Sequence, residues 1–207
     1  MNVNSLLIYN PLNKKEILNK SRKKTQSYFG KNCLKIINVG RLTDQKDQLT
    51  LLKAINRIKD KISLNLLIVG SGKEKENLLN YIHENKLSKL VQLIDYRNNP
   101  FNLINSSDIF ILTSLYEGLP NVLLESLVLK KFIISSDCRT GPKEILLNGK
   151  GGLLFSVENY KALASRIVYY NENKKKCRLM LLKAYKALHR FDLEVNLEKY
   201  LKVVNFK

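Results

Sequence analysis

Two glutamates, an arginine and a lysine are the residues of this chain whose types and settings could do chemistry. Glu117 and Glu125 stand with seven residues between them in the stretch IFILTSLYEGLPNVLLESLVL, residues 109–129. A short apolar run, Ile109–Leu112, stops at Thr-Ser; a turn carries Tyr116, Glu117 and Gly118; then Pro120 opens a second apolar segment. An apolar run bounded by turn signals suits a strand buried on both faces. Proline is favoured at the first helical position, where its missing N–H would be unpaired anyway, so Pro120 and Asn121 mark a helix start. Such an end carries roughly half a positive charge and attracts anions. Gly118 leaves room for a ligand to approach the backbone. Glu125 lies within residues 122–129, which are apolar nearly all round and therefore read as a buried helix. A carboxylate there is costly unless it meets hydrogen-bond donors, and sugar hydroxyls would supply them. From these residues alone a second reading stays open, in which both glutamates offset the helix dipole or form structural pairs.

Gly40 and Arg41 follow the apolar run Leu34–Val39, which puts a guanidinium at a strand end, and Lys46 comes five positions later. An arginine fork and a lysine point charge are a natural pair for a diphosphate, although either alone reads as a solvated surface charge. Gly70-Ser71-Gly72 lies between a strand-like and a helix-like segment, as in phosphate sites. It lacks the third glycine of G-x-G-x-x-G and the GK[ST] of a P-loop, so it reads as a tight turn lining the site. His83 and His189 sit among charged neighbours as surface or structural residues, and no nucleophile–His–acid set or metal-ligand pair is present in the pattern. Tyr169, Tyr170 and Phe191 suit packing. Nucleic-acid binding would rest on charge alone and is not expected.

The elements that must position these residues alternate. Strand-like runs occur at Leu34–Val39, Leu64–Val69, 90–94, Ile109–Leu112, 132–135 and 152–155, with helix-like segments at 48–59, 74–85, Phe101–Asn105 and 122–129. Alternation implies parallel strands with right-handed crossovers, hence an α/β fold with a doubly wound, mostly parallel Rossmann-like sheet of about six strands. Ligands in such sheets bind outside the carboxyl ends of the strands, where the polar punctuation falls: Gly40-Arg41, 70–72, 95–100, 116–118 and 136–141. Residues 158–204 read as two or three helices with a break at Phe191-Asp192. Residues 1–33 read as linker-like, with LLIYNP extended and KKEILNKSRKK charged and exposed. The domain is expected over 34–207.

The chain has 207 residues, 44% hydrophobic and 26% charged, ordinary for a globular protein. Its net charge is +18, from 36 Lys+Arg against 18 Asp+Glu, which fits nucleic acid, an anionic membrane surface or phosphorylated ligands, although the lysines are scattered along the chain and a general compositional bias gives the same number. Cys33, Cys138 and Cys177 are far apart and form no CxxC pair, as suits a reducing cytoplasm. No apolar run approaches the roughly 18–20 residues of a membrane span. Residues 6–9 lack the basic region of a signal peptide. The expected location is the cytoplasm, with peripheral contact at the inner face of the membrane.

The stretches NVGRLTDQKDQLTLLKA, LLIVGSGKEKENL, SDIFILTSLYEGLPNVLLESL, SSDCRTGPKEIL and GGLLF follow one another in this order. The chain resembles the C-terminal, donor-binding domain of retaining GT-B glycosyltransferases of family four, over roughly residues 34–205. Glu117 and Glu125 look like that family's E-x7-E motif. The resemblance implies that Arg41 and Lys46 hold the donor's diphosphate and help the leaving group depart. It implies that Glu117 contacts the donor sugar and Glu125 the ribose hydroxyls. The backbone of Gly118, Leu119, Pro120, Asn121 and Val122 would meet the phosphates, with Gly40 and Gly70 beside them. It implies a UDP-linked hexose or N-acetylhexosamine donor for surface polysaccharide or lipid-linked glycans, with no cofactor and no metal. Members pair this domain with an acceptor-binding N-terminal one, and SLLIYNPLN resembles the linker between them, so the acceptor domain is expected to be absent here or carried by a separate chain. A helix over 193–203 would reach back to it, leaving Leu197, Leu201 and residues 6–9 as exposed apolar surface. The alternative implied is a non-catalytic remnant or nucleotide-sugar-binding module.

Overall fold

The computed structural model describes residues 7–204. Six strands, β1 (Leu34–Val39), β2 (Leu64–Val69), β3 (Val91–Ile94), β4 (Ile109–Leu112), β5 (Phe132–Ser136) and β6 (Leu153–Phe155), form one parallel sheet in the order β3-β2-β1-β4-β5-β6. The helices are α1 (Lys14–Ser21), α2 (Gln48–Ile58), α3 (Lys75–Glu84), α4 (Phe101–Asn105), α5 (Asn121–Val128), α6 (Pro142–Ile145), α7 (Tyr160–Glu172), α8 (Lys174–Lys186) and α9 (Leu193–Val204).

The strands are apolar at nearly every position because helices cover both faces. Ile36, Leu66, Ile68, Ile109, Ile111 and Ile134 point to one face, packed under α2, α3 and α7. Their neighbours Ile37, Leu67, Val69, Phe110, Leu112 and Ile133 point to the other, under α4, α5 and the end of α8. The starts of α2 and α7 are set by side chains that accept otherwise unpaired N–H groups. Asp47 caps α2 by accepting the Thr50 N–H at 3.2 Å, and Asn159 caps α7 by accepting that of Ala162 at 2.9 Å.

The N-terminal segment differs from its expected character. KKEILNKS is a helix, capped by Asn13, which accepts the Glu16 N–H at 3.1 Å. Leu12 and Ile17 are buried in the same core as Phe110, and α1 packs on α4 and α5. The segment is also fastened to the C-terminal end: Leu12 N–H donates to the Phe191 carbonyl at 2.9 Å, Tyr9 N–H to Asn196 Oδ1 at 2.9 Å, and the Tyr9 ring lies 4.6 Å from that of Phe191. Of the apolar piece expected at 6–9, Leu6 lies outside the described residues, as does Ser5 of the linker-like opening. Leu7 is exposed. On α9, Leu197, Tyr200, Leu201 and Val203 are exposed and only Asn196 is buried. Among the described residues no helix is long and apolar enough to cross a membrane.

Candidate functional site

The strand order reverses between β1 and β4, and a crevice opens at their carboxyl ends, the place where open α/β sheets take ligands. The β1–β4 ladder pairs only Ile36 with Ile109 and Ile37 with Phe110. Beyond it the buried Asn38 amide donates to the Ile111 carbonyl at 2.9 Å, replacing a ladder bond as the strands part.

The loops that leave these two strands, residues 40–47 and 113–120, are bound to each other across the crevice. Leu115 N–H donates to the Gln45 carbonyl at 2.8 Å, the Thr113 hydroxyl to the Lys46 carbonyl at 2.7 Å, and the Gln45 amide to the Tyr116 carbonyl at 3.0 Å. The result is a pair that the sequence separates by 71 positions: Lys46 Nζ and Glu117 Oε1, 2.5 Å apart. Both side chains are largely buried, 17% and 8% exposed, and the Ser114 hydroxyl donates to the same Glu117 oxygen at 2.6 Å. The Thr140 hydroxyl, from the loop after β5, donates to the Glu117 carbonyl. Glu117 is therefore fixed from three loops, and a diphosphate that engaged Lys46 would have to share it with this carboxylate.

Past Glu117 the backbone is open. A Cβ added at Gly118 would meet nothing within 4 Å. The N–H groups of Gly118, Leu119, Asn121 and Val122 find no backbone acceptor among the described residues, so they are free for an anion. Pro120 stands at the N-cap with ψ 99°, and Asn121 takes the first helical position, one residue later than the proline rule implied. Gly70 is buried rather than lining the site. Its Cβ would fall 1.9 Å from the Gly40 carbonyl oxygen, so only glycine lets these two loops touch. Gly141, at φ +85°, does the same for the loop after β5: its Cβ would fall 2.2 Å from the Gly118 carbonyl oxygen.

Beside the open backbone is a cavity of about 630 Å³. Val39, Val69 and Phe101 give it an apolar floor, Arg41, Ser71, Tyr96, Arg97 and Asn98 a polar rim, and Gly40 and Glu125 complete the wall. Arg41 is exposed at the rim. Glu125 also borders a second hollow of about 240 Å³ with Asn13, Asn98 and Asn121, so α1 contributes to the surroundings of this carboxylate. Among the described residues the Glu125 side chain accepts no hydrogen bond and forms no ion pair, and burial pushes its carboxyl above the ordinary carboxylate range. Two carboxylates one helical segment apart thus differ completely: Glu117 has its partners, and Glu125 faces a cavity without any. Among the described residues no group of three or more His, Cys, Asp or Glu is placed to hold a metal ion.

The structure brings Gly40, Arg41 and Glu125 to the cavity, and Lys46, Glu117 and residues 118–122 to the loops beside it. Sequence reasoning missed Ser114, Thr140 and the individual rim residues Tyr96, Arg97 and Asn98. Only the position of their loops at strand ends pointed to them.

The model of the family described as Glycosyl transferases group 1 matches residues 19–187, and the chain belongs to that family. An uncharacterized glycosyltransferase of Methanocaldococcus jannaschii is 38% identical over 132 residues, covering 63% of this chain and 32% of that protein. An N-acetylgalactosamine-N,N'-diacetylbacillosaminyl-diphospho-undecaprenol 4-alpha-N-acetylgalactosaminyltransferase of Campylobacter jejuni is 34% identical over 151 residues, covering 73% of this chain and 40% of that protein. The chain thus spans well under half the length of these relatives. Among solved structures, Anabaena HepE in complex with UDP superposes with a TM-score of 0.83 at 19% identity, over 96% of this chain and 56% of that one. The likeness identifies the fold as one Rossmann-like half of a GT-B architecture.

Proposed function

We propose that these 207 residues form the donor-binding half of a retaining glycosyltransferase that transfers a hexosyl or N-acetylhexosaminyl group from a UDP-sugar to a surface polysaccharide or lipid-linked glycan. The observation that carries this reading is Glu125, a half-buried carboxylate without a partner among the described residues, which faces a cavity between an arginine and a row of backbone N–H groups that find no backbone acceptor among those residues. A nucleoside diphosphate matches each part. Ribose hydroxyls donate to Glu125, the base lies on Val39, Val69 and Phe101, and the diphosphate meets Arg41, Lys46 and the N–H groups of residues 118–122. Glu117, held next to Lys46, is then at the diphosphate's sugar side, and Lys46 and Arg41 stabilise the charge that develops on the departing UDP.

The Campylobacter relative's undecaprenol-linked acceptor and the UDP held by HepE support the donor and acceptor classes. The donor is the only small molecule this site requires. Transfer needs a second surface, supplied by an acceptor-binding domain or chain across the crevice, to orient the acceptor and exclude water. A lipid-linked acceptor places the working protein at a membrane surface. Calorimetric titration with UDP, UDP-N-acetylglucosamine and UDP-N-acetylgalactosamine tests the proposal. Saturable binding is expected, weakened about tenfold or more in Arg41→Ala, as for loss of a charge-assisted contact. A folded chain that binds none of them overturns it.

A further inference from the structure

The amino-terminal edge of the sheet, opposite the crevice, carries a second feature that donor binding does not use. A cavity of about 400 Å³ opens there between the starts of β4 and β5 and helix α8. Its floor is apolar, built on Phe132 and Tyr170, whose rings stack at 5.1 Å, and its rim bears Lys130, Lys174 and Arg178 against one acid, Asp108. Among the described residues none of these three cations forms an ion pair. Lys130 Nζ lies over the Tyr185 ring, 5.3 Å from its centroid, and Asp108 already accepts the Lys35 N–H at 2.9 Å.

The helix that walls this cavity, KKKCRLMLLKAYK, has six cations and no acid. Cys177 and Ala184 are its buried side. Lys175, Leu179, Leu182 and Lys186, at spacings of four, three and four, form one stripe on the opposite side, flanked by Arg178 and Lys183, and all six are exposed. Leu179 is 63% exposed and Leu182 42%. One exposed leucine needs no explanation. Leu179, Leu182 and Tyr185 together, set among lysines beside a cationic cavity, match the pattern of a helix that lies in a membrane interface.

We propose that this face of α8 docks on an anionic phospholipid bilayer, with Leu179 and Leu182 entering the headgroup boundary and the cavity at Lys130, Lys174 and Arg178 receiving a lipid phosphate. The inference rests on the membrane contact in the proposed function and names the surface that makes it. A nucleic-acid backbone would engage the cations but would leave the two leucines without a role. Docking here leaves the crevice at the other edge of the sheet unobstructed.

Flotation of the 207-residue chain with vesicles tests this, using phosphatidylcholine alone against phosphatidylcholine with phosphatidylglycerol. Binding is expected only to the anionic vesicles, and weaker in high salt. Replacing Lys175, Arg178, Lys183 and Lys186 together by Gln is expected to lower the vesicle partition constant by about fivefold per cation. The same replacement of the exposed Lys23, Lys24, Lys31 and Lys89 is expected to leave most of the binding in place. Leu179→Ser with Leu182→Ser is expected to weaken vesicle binding by about tenfold or more while retention on immobilised heparin is unchanged. Melting temperatures and UDP titrations of each variant separate this inference from the donor reading, since the α8 variants should bind UDP as the parent does. No binding to anionic vesicles overturns the proposal, as do equal losses in both quartets of cations. So does a leucine pair that binds vesicles like the parent, or displacement from vesicles by a DNA or RNA fragment with the leucine pair unaffected.

Discussion

Glu125 and Glu117 show how surroundings set two identical side chains apart. Glu117 is neutralised by Lys46 and accepts from Ser114, so its position is settled before any ligand arrives. Glu125 has only burial acting on it, which raises its carboxyl above the unfolded value. A raised acid favours the protonated folded state, so the group costs stability at neutral pH, and the cost fades as pH falls through the folded value and below the unfolded one. Glu125→Gln should therefore raise the melting temperature at pH 7, with the gain disappearing by about pH 4. The same substitution should weaken UDP binding, by about tenfold or more for a lost hydrogen bond to a charged acceptor. Thermal melts across pH, set beside calorimetry, measure both effects; a parent and variant that melt alike at every pH would remove the desolvation argument. Gly118 separates stability from binding in the same way. Its Cβ would touch nothing, so Gly118→Ala should change stability by no more than about 0.5 kcal/mol. The added methyl would stand where a phosphate must approach, and UDP affinity should fall about tenfold, the order of one lost backbone hydrogen bond to a charged group.

At the scale of elements, β1, β2 and β4 have the bounds that their apolar runs announce, because strands buried on both faces read as unbroken hydrophobic sequence. α1 was hidden for the complementary reason. Only Ile17 and the small Ser21 are buried in it, and its lysines outnumber them, so the periodic signal is weaker than the charge. α6 was missed because four residues after Gly141 are too few to show a period. The site was legible as far as it is local: Gly118 to Glu125 is one strand-to-helix turn, and its free N–H groups follow from that turn alone. The Lys46–Glu117 pair and the Ser114 and Thr140 contacts were not legible, since they depend on three loops that meet only when the sheet forms. Ile17 tests whether the N-terminal segment belongs to the domain or only leads into it. Ile17→Ala should destabilise the chain by about 2–4 kcal/mol in urea unfolding, as for a cavity in a core. A change under about 0.5 kcal/mol would return residues 7–21 to the status of a linker.

Over the whole molecule, the candidate features are laid out by edge. The carboxyl edge of the sheet gathers the crevice, the paired Lys46 and Glu117 and a Glu125 that has no partner among the described residues, while the amino edge and α8 gather cations that form no ion pair among those residues, and exposed leucines. α9, with Leu197, Tyr200 and Leu201 exposed, adds an apolar surface of its own beside the N-terminal segment. The central claim concerns the carboxyl edge, that two carboxylates divide the recognition of one UDP-sugar. Its most direct test is calorimetry of UDP and UDP-N-acetylglucosamine with the parent chain, Glu125→Ala and Glu117→Ala. Glu125→Ala should lose most of its affinity for both ligands. Glu117→Ala frees Lys46, so it should bind UDP at least as tightly as the parent and lose only the increment contributed by the sugar. If both variants bind both ligands as the parent does, the two glutamates are structural and the crevice does not hold the donor in this way.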